Sequence, residues 1–179
     1  PSIVLRVHAP RVAGTAASEA PADVALPPVY LAEVHDVMAI GGESCLLAKS
    51  GEGVIDEVGA RDPEQRYTLP NSAYVHRVRD FVLLDAHEQS QRHVDKVIWL
   101  SGRASNNYYH WLTEYLPRLA SLGSQPQYAN WPVLIDAGLH PNLIDALRRC
   151  LPSGHALVEI AEGERISIGT ALVFGPRAW

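Results

Sequence analysis

The chain has few cysteines: only Cys45 and Cys150 occur among its 179 residues. Two cysteines do not make the disulfide framework that stabilises small secreted domains. We therefore interpret both as ordinary small apolar residues in a reducing compartment. They indicate no metal site.

The sequence also lacks clusters of basic residues and long apolar runs. Lys and Arg number 15 against 20 Asp and Glu, which gives a formal net charge of −5, whereas contacts with nucleic-acid phosphates require clustered Lys and Arg. The longest apolar stretches fall far short of the roughly 20 residues of a membrane helix, and no segment with a basic start and an apolar core opens the chain. We expect no nucleic-acid partner and no membrane span. The composition is compatible with neutral partners such as sugars, and it does not indicate an oligomeric state.

The composition otherwise suits a folded protein with a buried core, since 47% of the residues are hydrophobic. Residues 1–27 contain a short β-like run and a stretch rich in Ala, Ser and Gly, which predicts an N-terminal strand and a loose linker. Residues 28–95 hold short apolar segments separated by turn residues such as Gly41-Gly42, which predicts an antiparallel β meander. A polar excursion is expected at 61–72.

Strand and helix patterns alternate from residue 96 to 179, which predicts an α/β fold with a mostly parallel sheet. We expect its strands at Val97–Leu100, Val133–Ile135 and Ala171–Phe174. An amphipathic helix is expected near Pro141–Leu151, with Pro141 in its first turn. The meander and this part together, residues 28–179, are expected to form one domain.

One segment, Asn107-Tyr-Tyr-His-Trp-Leu-Thr-Glu-Tyr-Leu-Pro-Arg-Leu119, gathers an amide, an imidazole and a carboxylate. In a helix of about 100° per residue, four polar residues fall on one side: Asn107, His110, Glu114 and Arg118. The opposite side is apolar and is expected to pack: Tyr108, Leu112, Tyr115, Leu116, Leu119 and Leu122. Pro117 is expected to kink the helix, because proline removes one helical hydrogen bond.

The residues before this helix indicate where its polar side lies. Lys96-Val-Ile-Trp-Leu100 reads as a strand, and Ser101-Gly-Arg-Ala-Ser-Asn106 reads as a loop that ends in good N-cap residues. In an open α/β sheet this junction lies at the carboxyl edge of the strands, where ligands bind. The loop 136–140 is expected at the same edge. The alternative is a surface helix whose polar side is only solvated.

Asn107-Tyr-Tyr-His110, followed by Glu114, Leu116-Pro117 and Arg118, resembles the signature of glycosyltransferase family 61. That family includes plant xylosyl- and arabinosyltransferases and animal protein O-linked N-acetylglucosaminyltransferases. Its members show an Asn-x-x-His core with an acidic residue four positions after the His. Here these positions are Asn107, His110 and Glu114.

The resemblance implies an inverting glycosyltransferase of GT-B-like architecture, in which two Rossmann-like domains face each other across a cleft. The C-terminal domain is expected to hold most contacts with the nucleotide-sugar donor. The chain stops at Trp179 and has no initiator Met, so we expect it to be the N-terminal, acceptor-side half and to be inactive alone. No metal or other cofactor is expected, and the absence of any Asp-x-Asp sequence fits this expectation. A glycan acceptor and a cytoplasmic place in bacterial cell-surface polysaccharide synthesis are the expected context.

The chemistry assigns a role to each polar residue. Inverting transfer needs a base for the acceptor hydroxyl, and positive charge or N–H donors for the departing diphosphate. We favour His110 as the catalytic base with Glu114 as its partner, although Glu114 could act directly. The candidate substrate-binding residues are Asn107, which would hold the sugar or begin the helix, Arg103 and Arg118, which would approach the diphosphate, and Tyr109.

Two other readings of the same residues stay open. In the first, the domain binds or scaffolds glycans without turnover, with Tyr108, Tyr109 and Trp111 as sugar platforms. In the second, His110 and Glu114 are structural and lie satisfied inside a closed core. The donor sugar, the acceptor and the linkage do not follow from this sequence.

Overall fold

The computed structural model describes residues 3–7, 22–26, 30–48, 54–56, 74–78, 81–84, 92–151 and 154–175. The strands in these ranges are β1 (Ile3–Val7), β2 (Ala22–Leu26), β3 (Leu31–Ile40), β4 (Cys45–Ala48), β5 (Val54–Asp56), β6 (Tyr74–Val78), β7 (Phe81–Leu84), β8 (His93–Trp99), β9 (Val133–Asp136), β10 (Leu157–Ile160) and β11 (Arg165–Phe174). The α-helices are α1 (Tyr108–His110) and α2 (Pro141–Cys150). A π-helical turn (Trp111–Tyr115) and 3-10 helices (Leu116–Leu122 and Pro126–Tyr128) complete the helical elements.

Seven strands form one mixed sheet in the order β10-β9-β8-β11-β3-β4-β5. The strands β10, β9, β8 and β11 pair in parallel, which confirms the parallel arrangement predicted for the second half of the chain. The strands β3, β4 and β5 are antiparallel and continue the same sheet from β11. The fold is therefore mixed α/β with few helices, and the sheet is mixed rather than mostly parallel.

Two further strand pairs lie outside this sheet. The strands β1 and β2 pair antiparallel, as do β6 and β7. β2 begins at Ala22, within the stretch where we expected a linker. The predicted excursion at 61–72 lies outside the described residues.

The main sheet is strongly curled. Gly41, in the turn between β3 and β4, donates to Glu164 O at 2.9 Å and accepts from Gly163 N at 3.0 Å, both in the turn before β11. The next residue, Gly42, donates to the side chain of Asp136 at the end of β9, although β8 and β11 stand between β9 and β3 in the sheet order. The curl therefore brings the β3–β4 turn to the carboxyl ends of β8 and β9.

Each face of the sheet buries its own apolar cluster. One cluster lies between the sheet and the helices and includes Ile98, Leu100, Val133, Ile135, Leu172, Phe174, Tyr115, Leu119, Leu143 and Leu147. The other lies on the inside of the curl and includes Val37, Leu46, Trp99, Leu134, Ile160 and Ile166. The helical segment 108–122, which carries His110 and Glu114, is therefore held in place by its packing against β8 and β9.

The helix α2 follows the sequence prediction closely. His140 caps its start by accepting from Asn142 N at 3.2 Å, and Pro141 occupies the first turn. Leu143 and Leu147 are its buried residues and pack against the sheet. Within the described part of the chain, no helix combines the length and the apolar character that crossing a membrane requires.

The helical segment 108–122 departs from the regular α-helix that the sequence predicts. After α1, Leu116 N donates to Trp111 O five residues back, and a 3-10 helix follows. Pro117 lies at the change because it has no N–H with which to continue the α-helical hydrogen bonds. The predicted kink thus takes the form of a change in helix type.

The change in helix type also rotates the faces of the segment. A π-helical turn holds more residues than an α-helical one, so Trp111 becomes fully buried while Leu112 is 41% exposed. Tyr108 is 66% exposed. The predicted packing through Leu116 and Leu119 is confirmed, but the predicted packing of Leu112 and Tyr108 is wrong.

Two glycine substitutions are expected to change the stability of the fold in opposite directions. A Cβ at Gly41 would collide with the carbonyl oxygen of Ala161, so Gly41→Ala should lower the free energy of unfolding by about 1–3 kcal/mol. Gly123 has helical angles (φ −58°, ψ −22°), and its Cβ would lie 3.8 Å from the nearest atom. Gly123→Ala should therefore raise the free energy of unfolding by about 0.4–1 kcal/mol. Urea unfolding measures both, and an equally stable Gly41→Ala would contradict the curled sheet.

Candidate functional site

His110 and Glu114 form a hydrogen-bonded pair at the start of the helical segment 108–122. His110 Nδ1 lies 2.5 Å from Glu114 Oε1, and the two side chains are 37% and 25% exposed. A carboxylate only accepts, so Nδ1 carries the proton and Nε2 is the basic nitrogen. Among the described residues, none hydrogen-bonds to Nε2. The pair is thus an oriented imidazole whose basic atom can take a proton from a ligand.

Asn107 begins the helix that carries this pair. Its backbone is extended (φ −85°, ψ 124°), and its side-chain Oδ1 accepts from Tyr109 N at 2.9 Å. This is N-capping, in which a side chain satisfies a free N–H of the first turn. Of the two roles expected for Asn107, the structure therefore shows the helix start. A contact of its amide with a sugar stays a prediction.

Three large hydrophobic side chains of the same helical segment are exposed: Tyr108 (66% exposed), Tyr109 (63%) and Leu112 (41%). The ring of Tyr109 meets the ring of His110 edge to face, with 5.5 Å between the centroids. Exposed tyrosine rings offer both an apolar face and a hydroxyl group. Tyr109 is therefore placed to contact a ligand held at His110.

Trp111 is not among these exposed residues, contrary to the sugar-platform interpretation. It is fully buried, its Nε1 donates to Leu143 O at 3.1 Å, and its ring stacks on Tyr115 with centroids 5.4 Å apart. The π-helical turn places it on the core side. Trp111 thus holds the segment against α2.

The structure places the two candidate arginines in contacts within the protein. Arg103 Nε lies 3.4 Å from Glu43 Oε2, and both side chains are largely buried (17% and 3% exposed). The guanidinium of Arg118 lies over the ring of Tyr115 at 5.0 Å from the centroid, a cation–π contact. Both groups are near the helical segment, but each already has a partner.

Asp136 is the polar residue whose importance the sequence did not reveal. Its Oδ1 accepts from Gly42 N at 2.8 Å, and its Oδ2 accepts from Gly102 N at 2.8 Å and from Ser105 Oγ at 2.6 Å. The residue is only 9% exposed. Burial raises the pKa of the Asp136 carboxyl, while the three hydrogen bonds oppose this shift without cancelling it. Its position as the last residue of a parallel strand was the one available signal.

The loop between β8 and α1 is held from several sides. Gly102 has φ 156°, and a Cβ there would lie 2.7 Å from Ser44 Oγ and 2.9 Å from Tyr115 Oη, so only glycine fits. Arg103 N donates to Ser44 Oγ at 3.0 Å, and Tyr115 Oη donates to Arg103 O at 2.6 Å. Ala104 has φ 56°. These contacts fix the path of the chain into Asn107.

An open groove lies away from the His110–Glu114 pair, with a volume of about 440 Å³. It is lined by Tyr30, Leu31, Ser121, Ser124, Gln125 and Tyr128. No residue is shared between this lining and the pair. Within the described ranges, no group of three or more His, Cys, Asp or Glu side chains is arranged to hold a metal ion.

Comparison of the chain with protein-family models, with curated proteins and with solved structures gives no match. The resemblance to glycosyltransferase family 61 therefore rests on the sequence itself, above all on the segment from Asn107 to Arg118. Membership in that family stays a prediction.

The buried carboxyl of Asp136 leads to a prediction about pH. Because its pKa is raised in the folded protein, the folded state holds this proton more tightly than the unfolded chain does. Its contribution to the free energy of unfolding is therefore greatest below the ordinary pKa of 3.8 and falls as the pH rises through the folded pKa. The carboxyl-carbon NMR shift of Asp136, assigned with Asp136→Asn, should titrate with a midpoint above 3.8. A midpoint below 3.8 would show that the hydrogen bonds outweigh burial.

Proposed function

We propose that the chain is the acceptor-side half of an inverting, metal-independent glycosyltransferase, with His110 as the catalytic base. The observation that carries this proposal is the His110–Glu114 pair: a partly buried carboxylate holds Nδ1, and among the described residues none hydrogen-bonds to Nε2. A histidine oriented in this way is the usual arrangement for a general base. The parallel strands β8 to β10, with helical elements after β8 and β9, are compatible with a Rossmann-like half of a GT-B enzyme.

In the proposed reaction, His110 Nε2 takes the proton of an acceptor hydroxyl as its oxygen attacks the anomeric carbon of the donor sugar. The bond from that carbon to the diphosphate oxygen breaks, and the nucleoside diphosphate leaves with the electron pair. Glu114 stabilises the imidazolium that forms. The configuration at the anomeric carbon inverts because attack and departure occur on opposite faces.

The donor diphosphate needs positive charge or N–H donors, and the two candidate arginines are already engaged within the protein. Arg103 is paired with Glu43, and Arg118 lies over Tyr115. We therefore assign donor binding to a second, C-terminal domain, as the GT-B-like architecture implies. In this proposal the described residues supply the base and the acceptor surface, in a cytoplasmic enzyme of polysaccharide synthesis.

A second candidate function is glycan binding without turnover. The exposed rings of Tyr108 and Tyr109 favour it, because aromatic rings stack well on the apolar faces of sugars. The two functions differ in their dependence on His110. Under the transferase proposal His110→Ala lowers turnover and leaves glycan binding intact, whereas a pure binding domain shows no turnover in the wild-type protein.

The catalytic assignment predicts the effect of two substitutions in the full-length protein. His110→Ala and Glu114→Gln should each lower turnover by roughly 10²- to 10⁴-fold, since each removes the base or its partner. The chain offers a matched control in His93 and Asp95, another His–carboxylate pair (3.1 Å) with exposed side chains. His93→Ala should keep the wild-type rate. Wild-type rates in both His110→Ala and Glu114→Gln would end the assignment.

The division of labour predicts that the 179-residue chain does not transfer sugar by itself. A base accelerates only a reaction whose donor is held in line with the acceptor, and the two arginines expected to approach the diphosphate, Arg103 and Arg118, already have partners within the protein. Incubation with several nucleotide sugars should release no nucleoside diphosphate, and calorimetry should show no tight donor binding. Micromolar donor binding or turnover by the chain alone would place the donor site among the residues described above.

A further inference from the structure

We propose that Asp136 is a positioning residue for the His110–Glu114 pair. By holding the β3–β4 turn and the loop after β8 against the end of β9, its carboxylate fixes the point at which the helical segment 108–122 begins. The proposal rests on the proposed function only for its effect on turnover. Its effect on the geometry of His110 can be measured without any transferase activity.

Three hydrogen-bond donors converge on the buried carboxylate of Asp136. Gly42 precedes Asp136 by 94 residues in the chain, and Gly102 precedes it by 34. Both donate backbone N–H groups at 2.8 Å, and Ser105 adds its hydroxyl at 2.6 Å. Asp136 is therefore the common acceptor for two loops that come from different parts of the sequence.

A chain of backbone hydrogen bonds leads from Asp136 to the helical turn that carries His110. The three hydrogen bonds to Asp136 are called the clamp below. Ser105 N donates to Gly102 O at 3.2 Å, and Asn107 N donates to Ala104 O at 2.9 Å. Two overlapping turns therefore connect the clamp to Asn107, which caps the helix. Asn107 then accepts from Tyr109 N through its side chain and from Trp111 N through its carbonyl at 2.9 Å. A shift of the loop would therefore move the first helical turn, which carries His110.

Asparagine, the amide with the same shape, does not reproduce this arrangement. A carboxylate accepts through both oxygens and donates nothing, which suits three converging donors. An asparagine would turn an N–H₂ group toward at least one N–H donor, and burial leaves little access for water to compensate. The same occupancy argues against Asp136 as the base itself, because both of its oxygens already accept hydrogen bonds.

The test is amide hydrogen exchange by NMR in Asp136→Asn, with Tyr109 and Trp111 as reporters of the first helical turn. Loss of the clamp should accelerate their exchange by roughly tenfold or more, because that turn opens locally. The reporter away from the clamp is the amide of Ile98, which is bonded to Pro132 O at 2.8 Å. Its exchange should change much less.

The control separates positioning from a general loss of stability. Ile168→Val removes buried volume from the other apolar cluster without touching the clamp, so it should not accelerate Tyr109 and Trp111 selectively. Ser105→Ala removes only one of the three donors and should give a smaller acceleration at the same amides. If Asp136→Asn does not fold, Ser105→Ala decides alone. A uniform change, or none, in the folded clamp variants overturns the proposal.

The catalytic consequence is measured in the full-length protein. Asp136→Asn should lower kcat while leaving the KM for the donor unchanged, since the proposed function assigns donor binding to a second domain. A lowered kcat with selective exchange at Tyr109 and Trp111 supports positioning. If the wild-type protein shows no transfer, the proposed function fails, and the exchange experiment still decides whether Asp136 sets the geometry of His110.

Discussion

The arrangement of the site depends on one interaction, the acceptance of three hydrogen bonds by the buried carboxylate of Asp136. A buried charge is costly unless it is hydrogen-bonded, and the three donors offset that cost. In return the carboxylate joins the β3–β4 turn to the loop after β8. The curl of the sheet makes this possible, because it brings Gly42 to the ends of β8 and β9.

The helical segment 108–122 shows how packing and polarity are combined on one short element. Trp111, Tyr115 and Leu119 anchor it to the sheet and to α2. The π-helical turn lets these residues face the core while His110 and Glu114 remain half-exposed on the other side. Pro117 prevents a regular helix from forming, so the unusual geometry follows from the sequence. Similar π-helical turns often occur at functional sites, which agrees with the role proposed for His110.

Much of the second half of the fold could be predicted from local patterns. The strands β8 and β9 and the helix α2 have clear apolar runs or an amphipathic period, and their predicted positions agree with the structure. The pairing of His110 with Glu114 could also be predicted, because a spacing of four residues places them one turn apart. Local spacing carries this information whether the turn is α- or π-helical.

The remaining features depend on contacts between distant residues. The extension of the sheet by β3 joins positions as far apart in the chain as Leu31 and Phe174, and the clamp at Asp136 joins that residue to Gly42. No sequence periodicity indicates such contacts. The burial of Trp111 in place of Leu112 depends on the helix type, which a fixed period of 100° per residue does not represent.

The role proposed for His110 is to take the proton of an acceptor hydroxyl. A crystal structure of the full-length protein with a nucleoside diphosphate and an acceptor glycan bound would test this role directly. We predict an acceptor hydroxyl within about 2.6–3.2 Å of His110 Nε2, with Glu114 still bonded to Nδ1. An acceptor whose reacting hydroxyl lies beside a different residue, with His110 outside the cleft, would contradict it.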